Sequence, residues 1–207
     1  PQQVVEQYGL DQTRYFMMRE LPFGNDGNFS HTAMVNRMNS DLANDFGNLA
    51  QRVLLMINKN CDGQVPEPGD FSAEDDALLA GVTNLLAEMR DAFDVQAFHI
   101  ALEKMWFHIR AANAYIDHQA PWTLRKEDPA RMATVLYALG EVIRRLGILA
   151  QPFMPGSAAK MLDQLAVPED GRGFASLADD IRWPAGTELP KPEGVFPRHV
   201  EEEAAAE

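Results

Sequence analysis

The 207-residue chain contains a single cysteine, Cys61. That excludes an internal disulfide framework and a zinc site built on cysteines. A lone cysteine fits a reducing compartment, and a cytoplasmic location is expected. No apolar run reaches the ~18 residues that a membrane-spanning helix needs, so no membrane partner is expected. No signal peptide is recognisable. The sequence opens on Pro1 instead of Met, as expected of a processed product or a piece of a longer chain. Positive charge is scarce: 18 Lys and Arg stand against 31 Asp and Glu, a formal charge of -13. Such a molecule repels a polyanion as a whole. Any nucleic-acid contact must then be local, and must lean on bases more than on phosphates. Only residues 97–160 carry the favourable sign, with 8 basic and 5 acidic side chains.

Catalytic signatures are missing too. There is no glycine-rich phosphate loop, no Gly-x-Ser-x-Gly and no His-Glu-x-x-His. Among the five histidines, only His99 shares an expected helix face with a carboxylate at a four-residue spacing, Glu103. One such pair reads as a surface or packing contact, so no metal and no catalytic residue is expected here. The acidic runs at Glu74-Asp75-Asp76 and Glu201–Glu203 read as helix N-terminal charge and a solvated end.

What the sequence has in quantity is helical periodicity. Apolar residues make up 46% and charged residues 24%, the proportions of a globular domain. Residues 2–8 and 11–21 read as short helices broken at Gly9, with Asp11 as a cap for the second. The turn formers of 22–28 read as a loop. Ser30 is placed to cap a long helix to about Asn58, whose stripe runs Met34, Met38, Leu42, Phe46, Leu49, Val53, Met56. A third helix starts at Ser72, where Asp75 completes a capping-box spacing, and runs to Phe93. A fourth spans about Asp94 to Asp117 and carries Trp106 on its core stripe. His118–Trp122 interrupts the pattern. Asp128-Pro129 opens the next helix, which Pro152 and Pro155 end. Ser157 is placed to cap a last short helix to about Leu165. Residues 167–199 are dense in proline and glycine. They read as an extended tail that packs back through Phe174, Ile181, Trp183 and Phe196, ahead of a solvated or frayed acidic end. No strand pattern and no repeat stands out. Serial amphipathic helices with moderate connections predict an all-α antiparallel bundle.

Two features ask for a function. Asn44, Asn48 and Arg52 lie four apart, and at ~100° per residue they form one polar row on the flank of the apolar stripe. Asn is a poor helix former, so two in register with an Arg need a reason. One reason is hydrogen bonding between helices. The other is recognition of an unpaired base such as cytosine, whose amino donor and O2 and N3 acceptors match an amide and a guanidinium. The second feature is Trp122, behind Pro121 at a helix break in the basic stretch. It reads either as a core plug or as a stacking platform for a base, with Arg125, Lys126 and Arg131 placed to touch neighbouring phosphates. The residues alone leave both pairs of readings open.

Several motifs taken together resemble the C-terminal part of bacterial methionyl-tRNA synthetases, a class I aminoacyl-tRNA synthetase family. They are Tyr8-Gly-Leu-Asp-x-x-Arg-Tyr15-Phe, Arg19-Glu-x-Pro-Phe-Gly24-x-Asp26-Gly-x-Phe-Ser30 and Asn39-x-Asp-Leu-Ala-Asn44-x-x-Gly-Asn48-Leu-x-x-Arg52. Further along come Asn113-x-Tyr-Ile-x-x-x-Ala-Pro-Trp122 and Gln151-Pro-Phe-Met-Pro155. The likeness covers the chain apart from its acidic end. The sister synthetases for Leu, Ile and Val share a similar bundle but lack this Asn/Asn/Arg row with Ala-Pro-Trp. The resemblance implies a bundle of the class I anticodon-binding type over 30–166, with 1–29 as its bridge to the catalytic region and 167–207 as the tail. It implies that Asn44, Asn48 and Arg52 contact the first base of the CAU anticodon of tRNA(Met), that Trp122 stacks on it, and that Pro121 fixes the corner. The family's HIGH and KMSKS motifs, Rossmann core and zinc-bearing insertion have no counterpart here. This chain alone is therefore expected to be inactive and to need no cofactor. ATP, magnesium and zinc belong, on the resemblance, to the missing catalytic domain, which is the second expected partner after the anticodon stem-loop. The expected state is a monomer. The competing reading is a stand-alone helical protein-interaction module, and an independent enzyme ranks last for want of a nucleophile, metal set or nucleotide loop.

Overall fold

The ends of the helices are written in the sequence, and most of them fall where capping chemistry puts them. The computed structural model describes residues 2–24 and 29–200; Pro1, part of the 22–28 loop and the acidic end lie outside the described residues. Helices α1 (Gln2–Tyr8) and α2 (Leu10–Glu20) break at Gly9, whose φ of 93° is open to glycine. Ser30 caps α3 (His31–Arg37) by accepting from the Ala33 N–H at 3.0 Å. The expected long helix does continue to Asn60, but its middle, Met38–Gly47, is wound as a π-helix before α4 (Asn48–Asn60) resumes α geometry.

Next come α5 (Ala73–Thr83) and α6 (Leu85–Asp94), where one helix was expected. The Ser72/Asp75 capping box starts α5 as predicted. The two helices meet at Asn84. Gly81 lies so close to α7 (Phe98–Gln119) that a Cβ there would sit 3.1 Å from His108 Nδ1, and the Thr83 hydroxyl bonds back to Leu79 O. Helix α7 starts four residues later than periodicity suggests. Gln96 turns left-handed (φ 58°), and the Phe93 and Phe98 rings meet across the turn at 5.0 Å.

After α7 come α8 (Pro121–Glu127), α9 (Pro129–Ala150) and α10 (Pro155–Gln164). Asp128 caps α9 through Arg131 N–H at 3.0 Å, as the Asp-Pro pair predicts. Two caps were misassigned. Asp11 does not cap its own helix; it is buried and accepts from Ser157 N–H, so α2 caps α10 across the bundle. Ser157 accordingly sits inside the first turn of α10 instead of before it. Sequence spacing cannot distinguish a local cap from one lent by a distant helix.

Helix α9 is the hub, packed against α4, α5, α7, α8 and α10. From Thr134 to Ala150 every residue is buried, as a helix surrounded on all sides requires. That stretch includes Glu141, Arg144 and Arg145, which the sequence reading passed over. Their charges are paired: Glu141 accepts from both arginines at 2.7–2.8 Å, and Asp179, 3.7 Å from Arg145, supplies the second negative charge. They also fasten the tail. Arg144 donates to Ser176 O and Ile181 O, Arg145 donates to Leu177 O, and Glu141 accepts from Trp183 N–H at 3.0 Å. The tail does pack back, through Trp183, Val195 and Phe196. Two of its expected anchors do not: Phe174 and Ile181 are 40% and 42% exposed. Phe174 instead lies against the Arg90 guanidinium, 6.0 Å from ring centre. Trp106 is buried in the core, as its stripe predicts. Among the described residues there is no strand, only one antiparallel bridge, Gln64 with Glu188.

Candidate nucleic-acid interface

The corner bearing Trp122 is built by one left-handed residue. Ala120 has φ 44° and ψ 60°; its N–H closes α7 on Ile116 O at 3.0 Å, and its carbonyl accepts the Thr123 N–H of α8 at 2.8 Å. A left-handed residue with a Cβ costs about 1–2 kcal/mol, so packing must hold it. Pro121 follows at the first position of α8, where no N–H is needed and φ is preset. Its ring is buried, and Trp122 is thrown outward, 43% exposed.

The other half arrives from α4. Arg52 Nη2 donates to Asp117 Oδ1 at 2.6 Å, one turn before the corner. Its guanidinium carbon lies 5.4 Å from the Trp122 ring centre, within cation–π range. Residues 70 apart in sequence thus share one patch of surface. Asn48, one turn before Arg52, is exposed. Asn44 is exposed as well, and its side-chain oxygen accepts from Arg198 of the tail. Between α4 and the tail opens a cleft of about 470 Å³, lined by Asn44, Asn48, Gln51, Phe196 and Arg198. The polar row is therefore divided: Arg52 stands with the indole, and Asn44 stands with the tail.

Arg125 and Lys126 are exposed on α8. Arg131 is engaged elsewhere. Its guanidinium pairs with the fully buried Asp75 carboxylate and donates to Gln119 Oε1 at 2.7 Å. Burial alone would push Asp75 up. Hydrogen bonds from Arg131, Tyr115 and Ser72 N–H, with the Arg131 charge, outweigh burial and hold it at about 2. Asp45 is pushed up by burial and by Asp41, against the pull of Arg110.

Sequence reading missed Asp117, Gln51 and Arg198 as members of this surface. Each is an ordinary polar residue by spacing, and only folding brings it to the row. The His99/Glu103 pair builds nothing: Glu103 is exposed, and no cluster of three metal-ligating side chains occurs among the described residues.

The arrangement can offer a flat aromatic surface with a guanidinium at the corner, and two carboxamides along the neighbouring cleft, to planar, hydrogen-bonding groups. Comparison with known proteins places the chain in a family. Residues 65–207 match the model of the anticodon binding domain of methionyl tRNA ligase, and residues 1–54 match that of the class I tRNA synthetases (M). The chain is 57% identical over 202 residues to the methionine–tRNA ligase of Brucella suis, covering 97% of this chain and 39% of that protein. It is 51% identical over 203 residues to that of Mycobacterium leprae, covering 96% and 37%. Its structure is similar to the apo form of Mycobacterium tuberculosis methionyl-tRNA synthetase, with a TM-score of 0.94 at 49% identity over 97% of this chain and 41% of that one. The chain thus spans about two fifths of the length of the curated relatives it matches. This chain belongs to the methionyl-tRNA synthetase family and comprises that family's helical anticodon-binding domain.

Proposed function

We propose that this chain reads the CAU anticodon of tRNA(Met) for a methionine–tRNA ligase, so that the full enzyme, using ATP, charges that tRNA with methionine. The observation that carries the reading is the meeting of Arg52 with a half-exposed Trp122 at a rigid corner. The first anticodon base stacks on the exposed indole, with the guanidinium beside it. Asn44, Asn48 and Arg52 then address the hydrogen-bonding edge of that cytosine, and Pro121 fixes the platform. A wrong base is rejected because it leaves these polar groups unpaired. Arg125 and Lys126 are the phosphate contacts; Arg131, occupied by Asp75, is not among them. Residues 1–29 bridge to the catalytic part, where ATP and magnesium act. The protein works as a cytoplasmic monomer.

The test is Trp122→Ala in the full-length enzyme. Loss of a stacked base costs about 1–3 kcal/mol, so kcat/KM for tRNA(Met) should fall roughly 5- to 150-fold. Methionine-dependent ATP–pyrophosphate exchange should stay within about two-fold, since activation precedes anticodon reading. An equal fall in both would remove the anticodon assignment. A stand-alone interaction module makes the opposite forecast for a second assay: it would treat a CAU stem-loop and one with an altered first base alike in Trp fluorescence quenching.

A further inference from the structure

The ten-residue π stretch Met38–Gly47 has no local cause. Its sequence contains no proline, and π windings are rare and mostly confined to single turns. Something outside it must hold it, and a side chain inserted into the hydrogen-bond ladder is a known way to alter winding. Two donors from α7 reach its carbonyls. Trp106 Nε1 donates to Asp41 O at 3.3 Å, and Asn113 Nδ2 donates to Asp45 O at 3.0 Å while keeping a 3.2 Å bond to Ile109 O in its own helix. The π register persists to the α4 boundary, where the Asn48 N–H still reaches back five residues to Ala43 O.

Winding decides where Asn44 points. In an α-helix a four-residue step overshoots one turn by ~40°. In a π-helix a turn closed by i→i+5 bonds takes more than four residues, so the same step falls short of a turn. Asn44 therefore lies on a different meridian from the one α geometry would give it. It faces the tail cleft, while Arg52 faces Trp122. Asn113 belongs to the same helix that ends in the Trp122 corner. One carboxamide thus ties both halves of the reading surface together.

We propose that Asn113 is a positioning residue for anticodon reading: its bond to Asp45 O holds the π winding, which sets where Asn44 stands relative to Asn48 and Arg52. The proposal rests on the reading of the site given above. Asn113→Asp keeps the size and removes the donor. In titrations of the chain with a CAU anticodon stem-loop, followed by Trp fluorescence, affinity should fall roughly two- to thirty-fold. The preference over a loop with U as first base should shrink as well. Asn113→Gln, which keeps the amide, should recover much of both. Asn44→Ala should cost several-fold in the parent chain and little more in Asn113→Asp, because the two residues act as a unit. Amides of residues 41–49 should exchange faster in Asn113→Asp, with those of α9 unchanged. If Asn113→Asp does not fold, Asn113→Ala removes the donor without adding a charge, and the same results are expected. Unaltered affinity and base preference in these variants, beside a large loss in Trp122→Ala, would overturn the role of Asn113 and leave the site reading standing. No loss in Trp122→Ala would overturn the site reading itself.

Discussion

Asp75 is the residue on which the corner's local stability turns. Its side chain is fully buried, yet it stays ionised because Arg131, Tyr115 and the Ser72 N–H all point at it. Those partners come from α5, α7 and α9, and Arg131 also holds Gln119, one residue before the left-handed Ala120. The folded state lowers the Asp75 carboxyl from its ordinary 3.8 to about 2. The unfolded chain therefore takes up the proton first as pH falls. The contribution is complete above about pH 4 and lost between about pH 4 and 2. Asp75→Asn should cost about 3 kcal/mol at neutral pH, since it leaves the partly buried Arg131 without its counter-charge and puts an amide where the three donors need a carboxylate. Urea melts from pH 5 down to 2 should show a shallower decline in that variant than in the parent. A decline of the same steepness would place the acid sensitivity elsewhere.

At the level of elements, α9 and the tail form one structural unit. The Glu141–Arg144–Arg145 cluster pins the tail's backbone, and Trp183 seals the arrangement by packing its six-membered ring against Gly140. A Cβ at Gly140 would fall 2.1 Å from Trp183 Cζ3. No rotamer change accommodates that, because Trp183 is also held by its indole N–H on Leu165 O at 2.9 Å. Gly140→Ala should cost about 1–3 kcal/mol by overpacking. The expected signature is loss of the near-ultraviolet signal of Trp183 and faster proteolytic cleavage within 167–200, with helix content retained. Because the tail carries Arg198 to Asn44, stem-loop affinity should change with it. A tail that stays protected in Gly140→Ala would mean that the buried charges alone anchor it.

For the whole molecule the governing quantity is the charge of -13. It opposes approach of any nucleic acid, and the candidate interface sets only Arg125 and Lys126 free for phosphates. At about -0.7 per phosphate contact in a single strand, two contacts give a slope of log K against log salt of about -1.4. Binding of the isolated chain to a CAU stem-loop should thus be weak, with a shallow salt dependence. A slope of roughly -5 or steeper would require phosphate contacts well beyond Arg125 and Lys126.

The helices, most of their caps and the bundle class were legible in the sequence, because they depend on contacts within about four residues. The Ser30 cap, the Ser72/Asp75 box and the Asp128-Pro129 start are local chemistry, and they fold as local chemistry dictates. The motif likeness likewise identified the family, since it rests on residue identity alone. What the sequence could not contain is geometry set by distant partners. The π winding answers to donors on α7, the α10 cap is lent by Asp11, and Arg131 is claimed by a carboxylate 56 residues earlier. The division of the Asn44–Asn48–Arg52 row between tail and indole follows from the same cause. Periodicity fixes which face a side chain shares, but only packing decides which neighbour it meets there.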